Sequence, residues 1–337
     1  IGRRGGVTLL VVIPCLNEEA HLQGLLDALR RDPAAADARI VVADGGSTDA
    51  SVAIVRKAAK DDARIVLLNN PARIQSAGVN AAVRTYGGDA EFVVRVDAHA
   101  AYPSDYLSAL LADQRESGAD AVTVSMRAVA RAGACFQQAA AAAQNSVLGA
   151  GGSLHRRGGE RRWVDHGHHA LMRVRSFHTA GGYDESFTHN EDAEFDKRLT
   201  ATGGRILLAA DILIDYFPRA TASGLARQYM SYGEGRARTA LKHRMPLKLR
   251  QLAPAAIAPV VTLSIALAPF APIAALPGVL WLAACLGFGV FLGVKQRQIC
   301  ACAAGLPAAI MHFAWSIGFL RGVATNSGRS ARPQRAL

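Results

Sequence analysis

Several polar clusters in this sequence combine residue types that do chemistry. In Asp97-Ala98-His99 a carboxylate and an imidazole stand two residues apart. On an extended backbone such side chains point the same way, so both reach one ion. An oxygen and a nitrogen donor favour Mn2+ over Mg2+. An Asp capping the next turn beside a surface His gives the same pattern. Asp44-Gly45-Gly46 reads either as an Asx turn or as a carboxylate that accepts hydrogen bonds from a base or ribose. Asn190-Glu191-Asp192, followed by Glu194 and Asp196, is an acidic knot in a basic protein. A helix N-terminus favours such acids through its dipole, and a buried, hydrogen-bonded one would serve as a general base.

Arg227 to Arg236 mixes cations, aromatics and glycines, including Gln228, Tyr229 and Tyr232. It suits either an amphipathic helix at a membrane surface or a clamp for a phosphorylated leaving group. The chain has neither the dinucleotide fingerprint G-x-G-x-x-G nor a P-loop.

These clusters need strands and helices to bring them together. Val7–Ile13 is an apolar, branched run suited to a strand buried on both faces. It stops at Pro14, and Asn17 is placed to cap a helix carrying Leu22, Leu25, Leu26 and Leu29. The alternation repeats: strands at Ile40–Ala43, Ile65–Leu68, Phe92–Val96 and Ala121–Val124, with helices around Ser51–Lys60, Ala77–Thr85 and Ala193–Thr202. It predicts an α/β fold with a largely parallel wound sheet and helices on both faces. Ligand sites in such sheets form beyond the carboxyl ends of the strands. Pro14-x-x-Asn17-Glu18, Asp44-Gly45-Gly46 and Asp97-Ala98-His99 all fall there.

The 337 residues carry a net charge of +11, 38 basic against 27 acidic, but unevenly. From Gln251 onward there is no acid, and the bases are Lys295, Arg297, Arg321, Arg329, Arg332 and Arg335. Removing those six leaves 32 basic and 27 acidic residues in positions 1–250, a net of +5. So modest a charge, without an aromatic-basic recognition motif, predicts no nucleic-acid partner. The division predicts a catalytic domain at 1–250 with membrane-interface helices near 220–250, two to three transmembrane helices in 251–322 and a basic tail at 323–337. Ala253–Ala274, Pro277–Val294 and Ile299–Leu320 are the apolar segments, near the ~20 residues a span needs. Lys242-His243-Arg244 and Lys248-x-Arg250 argue for a domain at 1–250 on the cytoplasmic side of the membrane. Cys15, Cys135, Cys285, Cys300 and Cys302 are scattered and predict no disulfide framework, which fits a reducing compartment. The apolar run near Ile1 is too short for a signal peptide.

Taken in order, the segments Val12–Glu19, Val42–Asp49, Asn70 through Asn80, Arg95–His99, Gly181–Glu185, Asn190–Asp192 and Arg227–Gly233 resemble the family-2 inverting glycosyltransferases with a GT-A fold. They are most similar to the bacterial exopolysaccharide branch that builds succinoglycan. The likeness spans roughly residues 7–250. It implies a nucleotide-diphospho-sugar transferase, a Rossmann-like wound sheet followed by a helical membrane region. Pro14, Asn17, Glu18 and Asp44 would line the nucleotide pocket, with Arg73 and Asn80 near the ribose or diphosphate. Asp97 and His99 would hold a divalent metal in place of the family's Asp-x-Asp. Asp192 would be the catalytic base, with Glu191 its neighbour. Gln228 and Arg236 fall where the family often shows Gln-x-x-Arg-Trp, here without the Trp. The resemblance implies a UDP-sugar donor, glucose by default, and a lipid-linked or polysaccharide-precursor acceptor. A non-catalytic sugar-nucleotide-binding scaffold of an export complex is the competing reading; retention of Asp97 and Asp192 favours catalysis.

Overall fold

The computed structural model describes residues 9–150, 159–246 and 249–326. Val7, Lys248 and most of the basic tail lie outside the described residues. The chain divides into two compact units, 1–126 with 157–216, and 127–156 with 217–337. The division by compactness therefore does not fall at 250.

The first unit is built on one sheet. Its strands are β1 (Leu9–Cys15), β2 (Ala38–Asp44), β3 (Ile65–Asn69), β4 (Phe92–Arg95), β5 (Ala100–Ala101), β6 (Ala121–Ala128), β7 (Arg162–Val164), β8 (His168–Arg173) and β9 (Ile206–Tyr216). They lie in the order β3-β2-β1-β4-β8-β6-β9-β5, with β7 paired to β9. Neighbours from β3 through β4 are parallel, joined by the helices α1 (Glu19–Arg31), α2 (Ser51–Asp61) and α3 (Gln75–Tyr86). Beyond β4 the expectation of a largely parallel sheet fails: β8 is antiparallel to both β4 and β6. Parallel neighbours require a crossover back to the same end of the sheet. Between β6 and β7 the chain instead makes a long excursion that belongs to the second unit, so no helical crossover dictates the direction of its return.

Side chains alternate between two cores, as strand geometry requires. Leu9, Val11 and Ile13 pack with Ile40, Val42, Phe92 and Val94 against α1, α2 and α4 (Tyr106–Ser117). Leu10, Val12, Val41 and Val93 face α3, α7 (Val174–Thr179) and α8 (Glu191–Ala201) through Val79, Phe177 and Phe195. Both faces are thus sealed, and polar chemistry is left to the strand ends. Asn17 does not cap α1. Its φ is +58°, and its Oδ1 instead accepts from the Thr48 backbone N–H at 2.8 Å.

The second unit is helical: α5 (Cys135–Gln144), α6 (Val147–Ala150), α9 (Ala222–Lys242), α10 (Leu249–Leu267), α11 (Leu276–Gln296) and α12 (Gly305–Asn326). Backbones of α9 and α12 touch because glycines face them. A Cβ on Gly318 would stand 1.9 Å from the Met230 carbonyl oxygen, and one on Gly233 2.1 Å from that of Trp315. Helix α10 runs on through Pro259, which has no N–H for the Ala255 carbonyl four residues earlier. Ser316 on α12 supplies the missing donor, its Oγ 2.7 Å from the Ala255 oxygen. Cys135 and Cys300 form a disulfide, with Cα atoms 5.2 Å apart. This corrects the expectation of none, because a sequence separation of 165 conceals their adjacency.

Two helices in this unit, Pro272–Gln296 and Ile299–Asn326, are long and apolar enough to cross a membrane, and Leu252–Leu267 is apolar but shorter. Their surface is oily: Ile273 is 78% exposed and Ile299 89%.

Candidate active site

Three loops meet at the carboxyl ends of β1, β2 and β4. Pro14 and Cys15 lie beside Ala43 and Asp44 in parallel register, and the Gly45 N–H donates to the Cys15 carbonyl at 2.8 Å. The Asp44 carboxylate is buried and accepts from the Gly46 N–H at 2.9 Å and from the Ser47 hydroxyl. That is the Asx-turn geometry, with Gly46 at a φ of +86°. Ser47 Oγ in turn accepts from the Asn17 N–H at 2.9 Å, and Ser51 Oγ from that of Glu18 at 2.8 Å. The first two loops are therefore laced together. Arg73, exposed with a φ of +59°, lies beside Gly46, where a Cβ would meet its guanidinium at 3.4 Å.

Asn80 is buried, and its amide is spent on the loop before α8. It donates to the Tyr183 carbonyl at 2.8 Å and to Glu185 at 2.9 Å, and accepts from the Tyr183 N–H at 2.9 Å. It fastens that loop to α3.

Asp97 and His99 sit in a turn rather than on an extended strand, with the Ala100 N–H donating to the Asp97 carbonyl. Their side chains consequently take different neighbours. Asp97 accepts from Gln75 Nε2 at 3.2 Å and faces Arg95 Nε and His168 Nε2, each at 3.5 Å. His99 Nδ1 lies 2.9 Å from Glu18 Oε1. Burial works against charge on Asp97, yet Arg95, then His168 and His99, hold its carboxyl below the usual range.

Asp192 lies in the first turn of α8, which Asn190 introduces with a φ of +64°. Arg95 grips it with both terminal nitrogens, at 2.7 and 3.0 Å, and the Tyr183 hydroxyl donates to the same carboxylate at 3.0 Å. Glu191 stands 3.6 Å from Arg95. Burial first, then the neighbouring Asp192, pushes the Glu191 carboxyl up to about 7. Burial opposes the charge on Arg95, but Asp192, Asp97 and Glu191 keep it firmly protonated.

The predicted Asp97 and Asp192 thus come together, along with Glu191. Gln228 and Arg236 belong to the second unit, on α9, where Gln228 Nε2 donates to the Tyr232 hydroxyl at 2.9 Å. The sequence places Arg95, Tyr183 and Gln75 in matching segments without assigning them a role, and His168 is not marked at all. A charge inside the otherwise apolar run Phe92–Val96 was the available signal for Arg95.

Among the described residues no group of three or more His, Cys, Asp and Glu side chains converges on one point. A cation here would need oxygens from a bound diphosphate to complete its coordination. The protein donors nevertheless fit one. Asp97 is held ionised, and when the neutral His99 ring gives its Nδ1 proton to Glu18 its lone pair lies on Nε2.

Residues 10–181 match the glycosyl transferase family 2 domain. The chain is 48% identical over 312 residues to the succinoglycan biosynthesis protein ExoA of Rhizobium meliloti (strain 1021), covering 93% of this chain and 94% of that one. In structure it is similar to the mannosyltransferase PcManGT from Pyrobaculum calidifontis, solved with GDP-Man and Mn2+. That match has a TM-score of 0.51 and 18% identity, over 96% of this chain and 88% of that one. GalNAc-T7, solved with UDP, GalNAc and Mn2+, gives a TM-score of 0.53 at 13% identity, over 71% of this chain and 48% of that one. At such identities the likeness concerns the fold alone.

Proposed function

The chain belongs to glycosyl transferase family 2 and has the GT-A fold, and from that premise we propose that it is a membrane-bound inverting transferase of exopolysaccharide assembly. It moves a sugar, glucose by default, from a UDP-sugar to a lipid-linked or polysaccharide-precursor acceptor. The observation that carries this reading is the convergence of Asp97 and Asp192 on Arg95 and His168.

Pro14, Asn17, Glu18 and Asp44 bound the end of the sheet where the nucleotide binds, with Arg73 beside it. Asp97 and His99 would hold a divalent cation, Mn2+ in preference to Mg2+, and such an ion would supply positive charge to neutralise the leaving diphosphate. An acceptor hydroxyl is a poor nucleophile until a base takes its proton, and Asp192 does so. The attacking oxygen forms its bond to the anomeric carbon as the bond to the diphosphate breaks, so the configuration inverts without a covalent enzyme intermediate. The oily helices α10–α12 seat the protein in the cytoplasmic membrane with its catalytic unit on the cytoplasmic side, where a lipid-linked acceptor is presented.

The test is a panel of nucleotide-sugars assayed by thermal shift with and without Mn2+, followed by donor turnover. One base and sugar should raise the midpoint through mass action, more so with Mn2+. Absence of any donor-specific shift overturns the reading, and binding without turnover in the presence of acceptor-bearing membranes favours the scaffold.

A further inference from the structure

We propose that Arg95 is a positioning residue that sets the spacing between the carboxylate of the acceptor side, Asp192, and that of the donor side, Asp97. The proposal rests on the glycosyl-transfer reading above and adds to it a residue that touches neither substrate.

Arg95 closes β4, and its side chain is only 2% exposed. A buried guanidinium is costly unless acids surround it. Here three do, Asp192 and Glu191 at the terminal nitrogens and Asp97 at Nε. The terminal nitrogens form a two-pronged fork on Asp192, at 2.7 and 3.0 Å, and Nη1 also lies 3.6 Å from Glu191. Nε faces Asp97 at 3.5 Å; it is buried and makes no hydrogen bond. Nη2 lies 3.3 Å from His168 Nδ1.

This arrangement acts as a rigid gauge. A guanidinium is planar, so fixing its fork on Asp192 also fixes the place of Nε, which lies 3.5 Å from Asp97. The strand end on which Arg95 sits is in register with β1, which carries Pro14 and Cys15. The gauge is therefore anchored to the sheet and reaches across to α8. Without it, Asp97 and Asp192 would be like charges in a partly dehydrated site, with His168 between them. A lysine cannot replace it, because a single ammonium makes no fork and has no second, fixed direction.

The experiment is a kinetic cycle on the full-length protein in membranes or detergent, with Arg95→Lys, Asp192→Asn and the double variant. Arg95→Lys is expected to lower kcat by about 100-fold, as a misplaced catalytic group does. Donor KM and donor Kd should stay within about threefold. Asp192→Asn should cost about 1000-fold, and the double variant should fall no more than about threefold below it, since residues that act as one unit are non-additive. If Arg95→Lys does not fold, Arg95→Gln, which keeps hydrogen-bond donors without charge, should give the same loss confined to kcat. Unchanged kcat, a parallel loss of donor affinity, or additive losses would each overturn the assignment. A wild-type protein that turns over no donor would instead sink the functional reading, and this role with it.

Discussion

Asp97 and Asp192 address the two nitrogens of one imidazole: His168 Nε2 lies 3.5 Å from the first carboxylate and Nδ1 3.7 Å from the second. Arg95 spans the same two acids from the other side. The two acids thus share one guanidinium and one imidazole.

Replacing Asp192 by Asn should remove the acceptor-side base while leaving the donor pocket intact. The expected result is a loss of kcat of about 10²–10⁴-fold, with donor affinity by calorimetry nearly unchanged. Wild-type turnover in this variant would mean that another group takes the proton.

Glu191 should give the protein a recognisable dependence on pH. Its carboxyl is raised from an ordinary 4.5 to about 7 by burial and by Asp192, so the folded chain holds a proton that the unfolded chain releases. Stability from this source is greatest below about 4.5 and is lost as pH rises through about 7. Thermal midpoints from pH 5 to 8 should therefore fall for the wild type relative to Glu191→Gln, which mimics the protonated acid. Parallel curves for the two proteins would show that Glu191 titrates normally.

Glu18 should matter to the cation through His99, which it contacts at 2.9 Å. Loss of a carboxylate that orients a metal-binding histidine typically weakens metal affinity about 10–100-fold. Mn2+ binding in the presence of UDP, followed by electron paramagnetic resonance, should weaken by about tenfold in Glu18→Gln. Equal Mn2+ affinity in the two proteins would separate Glu18 from the metal.

The contact between α10 and α12 should be breakable and repairable. Ser316→Ala orphans the Ala255 carbonyl and should destabilise the protein by about 1–3 kcal/mol. Pro259→Ala restores a backbone donor for that carbonyl, so Ser316→Ala should cost less in its background. Equal costs in both backgrounds, measured by unfolding in detergent, would remove the proposed link.

Much of the frame was legible because strand periodicity and helix spacing are local properties. Leu22, Leu25, Leu26 and Leu29 announce one face of α1, and the acids at 97, 191 and 192 stand out by type. What stayed hidden depends on distant pairings. Nothing near His168 says that it will lie between Asp97 and Asp192, and the antiparallel entry of β8 follows from where the chain returns rather than from its own residues. Asp97 and His99 illustrate the same limit. Their spacing predicts a shared direction, whereas the turn at Ala98-His99 sends the imidazole to Glu18.

The second unit is discontinuous, combining residues 127–156 with 217–337. A ribosome makes roughly 5–20 residues per second, so α5 leaves the exit tunnel on the order of ten seconds or more before the segment that carries Cys300. Throughout that interval the early helix lacks the partners that α11 and α12 give its apolar side. Biogenesis of this protein therefore has a built-in pause, in which a segment made early waits for the last-made helices to give it a place.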